Sequence, residues 1–339
     1  MDKLRIGLAG FGYWGPNLAR AINNQDAAIL AGIAEADESK LEKAKSIYPE
    51  CVGFKSVSEM ILSGKVEAVI IATPAETHDE VAREAIENDL HALIEKPMSI
   101  DPNKGLSILE IAKNKKLVYM PGHTFVYNDA IVWAKDYIKS GQLGEVLNIY
   151  SQRLNLGQLR KDVNVVWNLA PHDISIFDYL LDSRVVSVSA TGAAIAQPGI
   201  EDIAFISLQY KSGVITHSHV SWLDPSKTRK ITIIGTKGML VIDDTSPDAK
   251  IQVHEKFAYK SEDSAPSFGE YSFGLRSGDV KIPNIRVREP LFVEIEDFVQ
   301  AINSGTAPKS TAEDGIWVAK VLNAIDQSIA KGGTPVTLG

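Results

Sequence analysis

The 339-residue chain is 45% apolar and 23% charged, the proportions of a globular protein, and its length favours two hydrophobic cores over one. Its 35 Lys and Arg against 43 Asp and Glu leave a formal charge of −8, which repels nucleic acid and anionic membrane and excludes either as the main partner. The single cysteine, Cys51, rules out an internal disulfide and reads as an ordinary thiol in a reducing compartment.

The first residues run straight into an apolar strand-like segment, so no secretory signal is read and a cytoplasmic location is expected. The longest apolar stretches, such as Val66–Thr73, fall far short of the roughly 20 residues that span a bilayer. Up to residue 122, apolar runs at Leu4–Ala9, Ala28–Ala34, Ala68–Thr73, Ala92–Ile94 and Leu117–Met120 alternate with helical patterns at Pro16–Asn23, Glu38–Tyr48, Glu76–Asn88 and Pro102–Asn114. Such alternation predicts an α/β domain with a doubly wound parallel sheet over 1–122.

From Glu145 to Glu255 the pattern turns to strands: Val146–Arg153, Val185–Ala193, Ile203–Tyr210, Val214–Trp222, Arg229–Gly235 and Met239–Asp243. Hairpins are expected at Lys211-Ser212-Gly213 and Thr236-Lys237-Gly238, and one helix near His172–Leu181 interrupts the run. Residues 260–285, rich in Ser, Gly and Pro, read as a long loop serving as a lid or subunit contact, and helices near Leu291–Asn303 and Ala312–Ala330 finish the chain. Residues 123–339 are thus expected to form an α+β domain with an open, mainly antiparallel sheet. Its last helix would pack back on the first domain, and its free sheet face would pair subunits into a homodimer or homotetramer.

The strongest motif is Gly10-Phe11-Gly12-Tyr13-Trp14-Gly15, between the first strand and a helix with Pro16 in its first turn. Glycine is needed there for the tight turn, for close approach of backbone to a pyrophosphate, and for helix–strand packing. The helix N-terminus then offers free N–H groups to the phosphates. Glu35, twenty residues past Gly15 and at the end of the second strand, can accept hydrogen bonds from ribose hydroxyls and repel a 2′-phosphate. The cofactor expected is therefore NAD, with Asp37 the second candidate for the ribose contact.

Glu95-Lys96-Pro97 follows the Ala92–Ile94 strand, where ligands bind at the carboxyl edge of such a sheet, although a lysine before proline taken alone is a solvated loop residue. Thr73-Pro74-Ala75-Glu76-Thr77-His78 ends the strand before it and on its own reads as a proline turn with a helix cap. In Trp167-Asn168-Leu169-Ala170-Pro171-His172-Asp173, Asn168 and His172 are four apart and share a helix face, and a histidine suits general base work. His217 and His219 alternate along a strand without a third ligand, so they read as one sheet face and no metal is expected.

A GxGxxG loop, a Thr-Pro-x-x-x-His turn, a Glu-Lys-Pro turn and an (Asp/Asn)-x-x-x-His helix, in this order, resemble the glucose–fructose oxidoreductase and inositol dehydrogenase (Gfo/Idh/MocA) family over essentially the whole chain. The resemblance implies a hydride-transferring, NAD-dependent sugar dehydrogenase with Lys96 and His172 as the catalytic pair and Asn168 at the position between them. It places Thr73, Pro74, His78, Glu95 and Lys96 against the cofactor, and implies a cis Lys96–Pro97 bond. Asn168 stands where many members carry aspartate, so a proton relay through it is lost while hydrogen-bond positioning is kept.

The segments Gly122–Asn128 and Asn164–Ser175 are most similar to the branch acting on UDP-N-acetylated sugars, the 3-dehydrogenases of UDP-N-acetylglucosamine or its uronate. On that reading Tyr127, Asn128, Arg153 and Arg160 join Lys96, Asn168 and His172 at the substrate, with Lys161 completing a cation cluster for a diphosphate or carboxylate. The alternatives are a dehydrogenase of a free polyol or hexose, and a non-catalytic NAD-binding sensor or scaffold.

Overall fold

A computed structural model describes residues 3–157, 159–260 and 273–339. The chain divides into two compact units, Met1–Tyr127 with Arg288–Lys320, and Asn128–Val287 with Val321–Gly339. The first unit thus takes in residues 288–320, beyond the boundary expected at 122, and the division falls inside the last long helix.

In the first unit, strands and helices alternate: β1 (Leu4–Ala9), α1 (Gly15–Asn23), β2 (Ala28–Ala34), α2 (Glu38–Ile47), β3 (Val52–Phe54), α3 (Val57–Leu62), β4 (Ala68–Ile71), α4 (His78–Glu87), β5 (His91–Glu95), α5 (Pro102–Lys115) and β6 (Tyr119–Gly122). The six strands pair in parallel in the order β3-β2-β1-β4-β5-β6, the doubly wound arrangement whose strand order reverses beside β1. All four residues of β4, Ala68, Val69, Ile70 and Ile71, are buried, as a strand covered by helices on both faces must be. The helix starts are written locally. Asp37, Ser56 and Asp101 each cap a helix by accepting backbone N–H bonds.

The second unit begins with a helix the sequence pattern did not reveal, α6 (Asp129–Lys139), capped by Asn128. Then come β7 (Val146–Leu154), α7 (Val165–Leu181), β8 (Val185–Ala193), β9 (Ile203–Tyr210), β10 (Ile215–Ser221), β11 (Thr228–Gly235), β12 (Gly238–Asp243), β13 (Ile251–His254), β14 (Phe257–Lys260), β15 (Phe273–Arg276) and β16 (Val280–Lys281). Helix α8 (Pro290–Ser304) belongs to the first unit, α9 (Ala312–Ala330) runs from the first into the second, and β17 (Val336–Thr337) closes the chain.

Nine strands make one sheet in the order β16-β13-β12-β11-β7-β10-β9-β8-β17, antiparallel except for β7 beside β10. Helix α7 lies against β10, β9 and β7. It therefore covers Thr216 and Ser218, while Ile215, His217 and His219 alternate to the other face. The helix starts seven residues earlier than expected, because Pro171 reads as a break yet is accommodated inside it. Of the loop expected at 260–285, residues 261–272 lie outside the described ones, and β14 and β15 on either side pair antiparallel. Among the described residues no helix is long and apolar enough to cross a membrane.

Candidate active site

The glycine loop is built as nucleotide binding requires. Gly10 leaves β1 with φ 96°, and a Cβ on it would stand 2.7 Å from the Ala72 carbonyl oxygen. A Cβ on Gly15 would stand 2.7 Å from the Gly10 carbonyl oxygen, whereas one on Gly12 would meet nothing within 4 Å. That open cradle is the space a pyrophosphate needs against bare backbone. Helix α1 adds to it, having no acidic residue in its first turn and no side-chain cap on its N–H groups.

Glu35 stands at the mouth of this loop. Its Oε2 accepts from Phe11 N at 2.7 Å and its Oε1 from Asp37 N at 3.0 Å, which leaves lone pairs for ribose hydroxyls. Asp37 caps α2, its Oδ1 accepting from Ser39 N and Lys40 N. The Phe11 side chain is buried, and only its backbone faces the loop, while Tyr13 and Trp14 are exposed. These residues fit NAD.

At the neighbouring strand ends, Thr77 Oγ1 donates to Thr73 Oγ1 at 2.7 Å, and Pro74 opens the turn into α4. His78 is buried. Its Nε2 lies 2.9 Å from the Thr73 carbonyl and its Nδ1 2.8 Å from the Pro97 carbonyl, and the single N–H of the neutral ring can donate to one of the two. Burial holds its pKa below the usual histidine range. Lys96 closes β5, its amide donating to Glu95 Oε2 at 3.2 Å, and the Lys96–Pro97 bond is cis. Glu95 is half-buried with its Oε1 out of reach of solvent, and burial raises its pKa.

In the second unit, Asn164 caps α7 by accepting from Trp167 N at 3.1 Å, and the Trp167 indole donates to Asp326 Oδ2 at 2.6 Å. Asn168 Oδ1 accepts from the Trp222 indole at 3.1 Å, and His172 follows one turn later on the same face. Asp173, next to His172, is buried and receives Arg153 Nε and Nη2 at 3.0 and 2.9 Å and Ser151 Oγ at 3.0 Å. Lys96 and His172 belong to different units, so their common action is a matter for the proposal below.

Four substrate candidates have partners of their own within the fold. Tyr127 is buried at 1% exposure, with its hydroxyl donating to Asp297 Oδ2 at 2.8 Å and accepting from Ser310 N at 3.2 Å, so it is a core residue. Asn128 is the cap of α6, accepting from Ala130 N at 2.9 Å, as an Asn before an apolar helical stripe commonly is. Arg153 is buried on Asp173, and Arg160 Nε donates to Asp162 Oδ1 at 2.9 Å, so both bring their own counter-charge. Lys161 is exposed.

Sequence reasoning missed Glu294, buried on α8 and bonded to Thr124. The signal was there: in Leu291-Phe292-Val293-Glu294 the acid sits three residues after Leu291 and four before Phe298, on the apolar face.

A doubly wound domain with an open glycine cradle and a carboxylate at its mouth, followed by a sheet domain, is the build of an NAD-binding oxidoreductase. Residues 4–123 match the oxidoreductase family, NAD-binding Rossmann fold, and residues 131–241 match the GFO/IDH/MocA C-terminal domain. The chain belongs to the Gfo/Idh/MocA family. It is similar to 2,7-anhydro-N-acetylneuraminate hydratase of Escherichia coli, 25% identical over 71% of this chain and 68% of that protein. It is likewise similar to UDP-N-acetylglucosamine 3-dehydrogenase of Acidithiobacillus ferrooxidans (26%, 96% of each chain) and myo-inositol 2-dehydrogenase of Thermotoga maritima (23%, 92% of each). The solved Acidithiobacillus structure superposes with a TM-score of 0.81 over 98% of this chain and 99% of that one, at 22% identity.

Proposed function

We propose that the protein oxidises or reduces a secondary alcohol of a sugar, C3 of a UDP-N-acetylated hexosamine or its uronate being the substrate position. The observation that carries the hydride-transfer reading is the placement of Lys96 at the carboxyl end of β5, on the strand edge that also bears the glycine loop of β1. The nucleotide-sugar reading draws on the relative from Acidithiobacillus, similar along 96% of the chain.

Gly10, Gly12, Gly15 and Glu35 would hold NAD, which when bound would supply the two-electron redox chemistry between a sugar alcohol and its carbonyl. The chain's own residues handle the proton: His172 takes it from the hydroxyl, and Lys96 donates a hydrogen bond to the same oxygen. Asn168 positions and cannot take a proton. A free polyol is the second reading, and one observation favours it: Arg153 and Arg160 are already balanced by Asp173 and Asp162. We also propose that the sheet face bearing Tyr150, Phe205 and Ile215, all exposed, meets a second copy; sedimentation should then show an oligomer.

Assaying UDP-sugars beside inositol and free hexoses separates the substrates. Lys96→Met and His172→Ala should each lower kcat at least about 100-fold, with NAD binding kept and the double variant hardly worse than the poorer single one. Near-normal kcat in His172→Ala at saturating substrate refutes the base, whereas absence of turnover with every sugar favours the sensor reading.

A further inference from the structure

Trp222 lies one residue past β10 and is 3% exposed. Its backbone is tied on both sides, the N–H donating to the Asp202 carbonyl at 2.9 Å and the carbonyl accepting from Gly157 N at 3.3 Å. Asp202 is buried and holds a turn of its own, its Oδ2 accepting from Ile195 N and Ala196 N at 2.9 and 2.5 Å. The one polar atom of the Trp222 side chain, the indole nitrogen, donates to Asn168 Oδ1 at 3.1 Å. Asn168 sits on α7, which lies against β10 and is gripped from β7 by the bonds of Arg153 and Ser151 to Asp173. Strand and helix therefore hold the two side chains at a set spacing.

An indole can only donate, so the atom it meets must be the amide oxygen. Turned the other way, the amide would set its N–H2 against the N–H of a buried ring, two donors with no acceptor between them. The bond thus decides which end of Asn168 is spent inside the protein. The other end is the N–H2, and its two hydrogens can serve two acceptors at once. An aspartate at this position would accept the same indole bond, but its second oxygen would be an acceptor where Asn168 has a donor.

We propose that Trp222 is a positioning residue that makes Asn168 a hydrogen-bond donor to the reacting sugar oxygen. This rests on the reading of Asn168 and His172 as the substrate-facing stretch of α7. As His172 takes the hydroxyl proton, the oxygen it leaves gathers negative charge, and a fixed N–H stabilises that charge where a carboxylate would oppose it. The carbonyl form of the sugar has an oxygen that only accepts, so the same donor serves the reaction in both directions.

The test uses the full chain and does not begin with turnover. The five tryptophans give five indole N–H signals in the nitrogen-15-labelled protein, and Trp222→Phe removes, and so assigns, one of them. Asn168→Leu should shift that signal and leave the others nearly in place, and a signal that does not move overturns the bond. With an active sugar, Asn168→Asp keeps an acceptor for the indole and loses the donor, and should lower kcat at least about tenfold. A rate equal to wild type refutes the donor. Trp222→Phe should lower kcat about fivefold, the worth of one ordinary hydrogen bond, with NAD affinity unchanged. Combining the two changes separates orientation from packing. In Asn168→Asp the donor is already gone and the two carboxylate oxygens are alike, so adding Trp222→Phe should cost less than about twofold. A tryptophan that only fills space would cost the same in both backgrounds, and equal losses overturn the positioning role. If Trp222→Phe does not fold, the single indole signal moved by Asn168→Leu and the Asn168→Asp rate decide. Absence of turnover with every sugar sinks the proposed function and the donor to substrate with it, while the indole signal still shows whether Trp222 orients Asn168.

Discussion

In the first unit the candidate residues hang largely on main chain. Gly10 packs against the Ala72 carbonyl, Glu35 holds Phe11 N, and His78 spans the carbonyls of Thr73 and Pro97. In the second unit the helix carrying Asn168 and His172 hangs on side chains: Arg153 and Ser151 of β7 grip Asp173, and Asp326 takes the Trp167 indole. A main-chain frame demands glycine, proline or a short acid at fixed spacing. A side-chain frame demands only that two partners, 159 residues apart for Trp167 and Asp326, match each other. The first kind fails locally when its residue changes, and the second fails by stranding the partner.

The largest effect follows from that stranding. Asp173→Ala leaves the Arg153 charge buried and should cost about 3–5 kcal/mol in urea unfolding, with the α7–β7 contact loosened and kcat lowered. Replacing both partners, Arg153→Met with Asp173→Leu, should cost clearly less, because no charge is left buried. If the single and double variants lose the same stability, the second unit is not held by this pair and the contrast between the frames fails.

The first unit also has side-chain weaknesses, and acid finds one at His123. His123 is 2% exposed with Nδ1 3.1 Å from Ser310 Oγ, and burial pushes its pKa down to about 4 while Asp314 offsets part of the shift. Below pH 6.5 the unfolded chain binds a proton that the folded one refuses, so stability falls with pH between about 6.5 and 4 and then levels. The full loss is about 3 kcal/mol. His123→Gln should flatten this part of the stability profile, and an unchanged slope would show that another group carries it.

The same contrast explains what the sequence disclosed. Gly10, Gly12, Gly15, Glu35 and Lys96 stood out because backbone geometry and strand-end position restrict which residues can serve. Strands β8 and β9 and helix α9 were legible to the residue, since alternation or a helical stripe ran unbroken to both ends. Pro171 hid about the first two turns of α7, and α6 escaped because its cap, Asn128, read as a ligand. Tyr127, Arg153 and Glu294 were illegible in role for one reason: their partners Asp297, Asp173 and Thr124 are identified only by folding.

The smallest effect on stability gives the sharpest test of the main-chain frame, because two glycines of one loop should answer with opposite signs. Gly10→Ala puts a Cβ at φ 96° and 2.7 Å from the Ala72 carbonyl oxygen, so it should destabilise the fold by about 1–3 kcal/mol and weaken NAD as a consequence. Gly12→Ala meets nothing within 4 Å and needs no unusual φ. It should therefore leave stability unchanged or raise it by about 0.4–1 kcal/mol, because alanine has less chain entropy to lose on folding. The methyl nevertheless enters the space where bare backbone meets the pyrophosphate, so NAD affinity should fall while thermal unfolding without cofactor does not. Thermal scans with and without NAD read both terms on one sample. The difference between the two scans, which is the ligand's contribution through mass action, should shrink in Gly12→Ala although the cofactor-free midpoint holds or rises. If NAD stabilises Gly12→Ala as much as wild type, the cradle at Gly12 is not where the cofactor lies, and the glycine there serves only the turn.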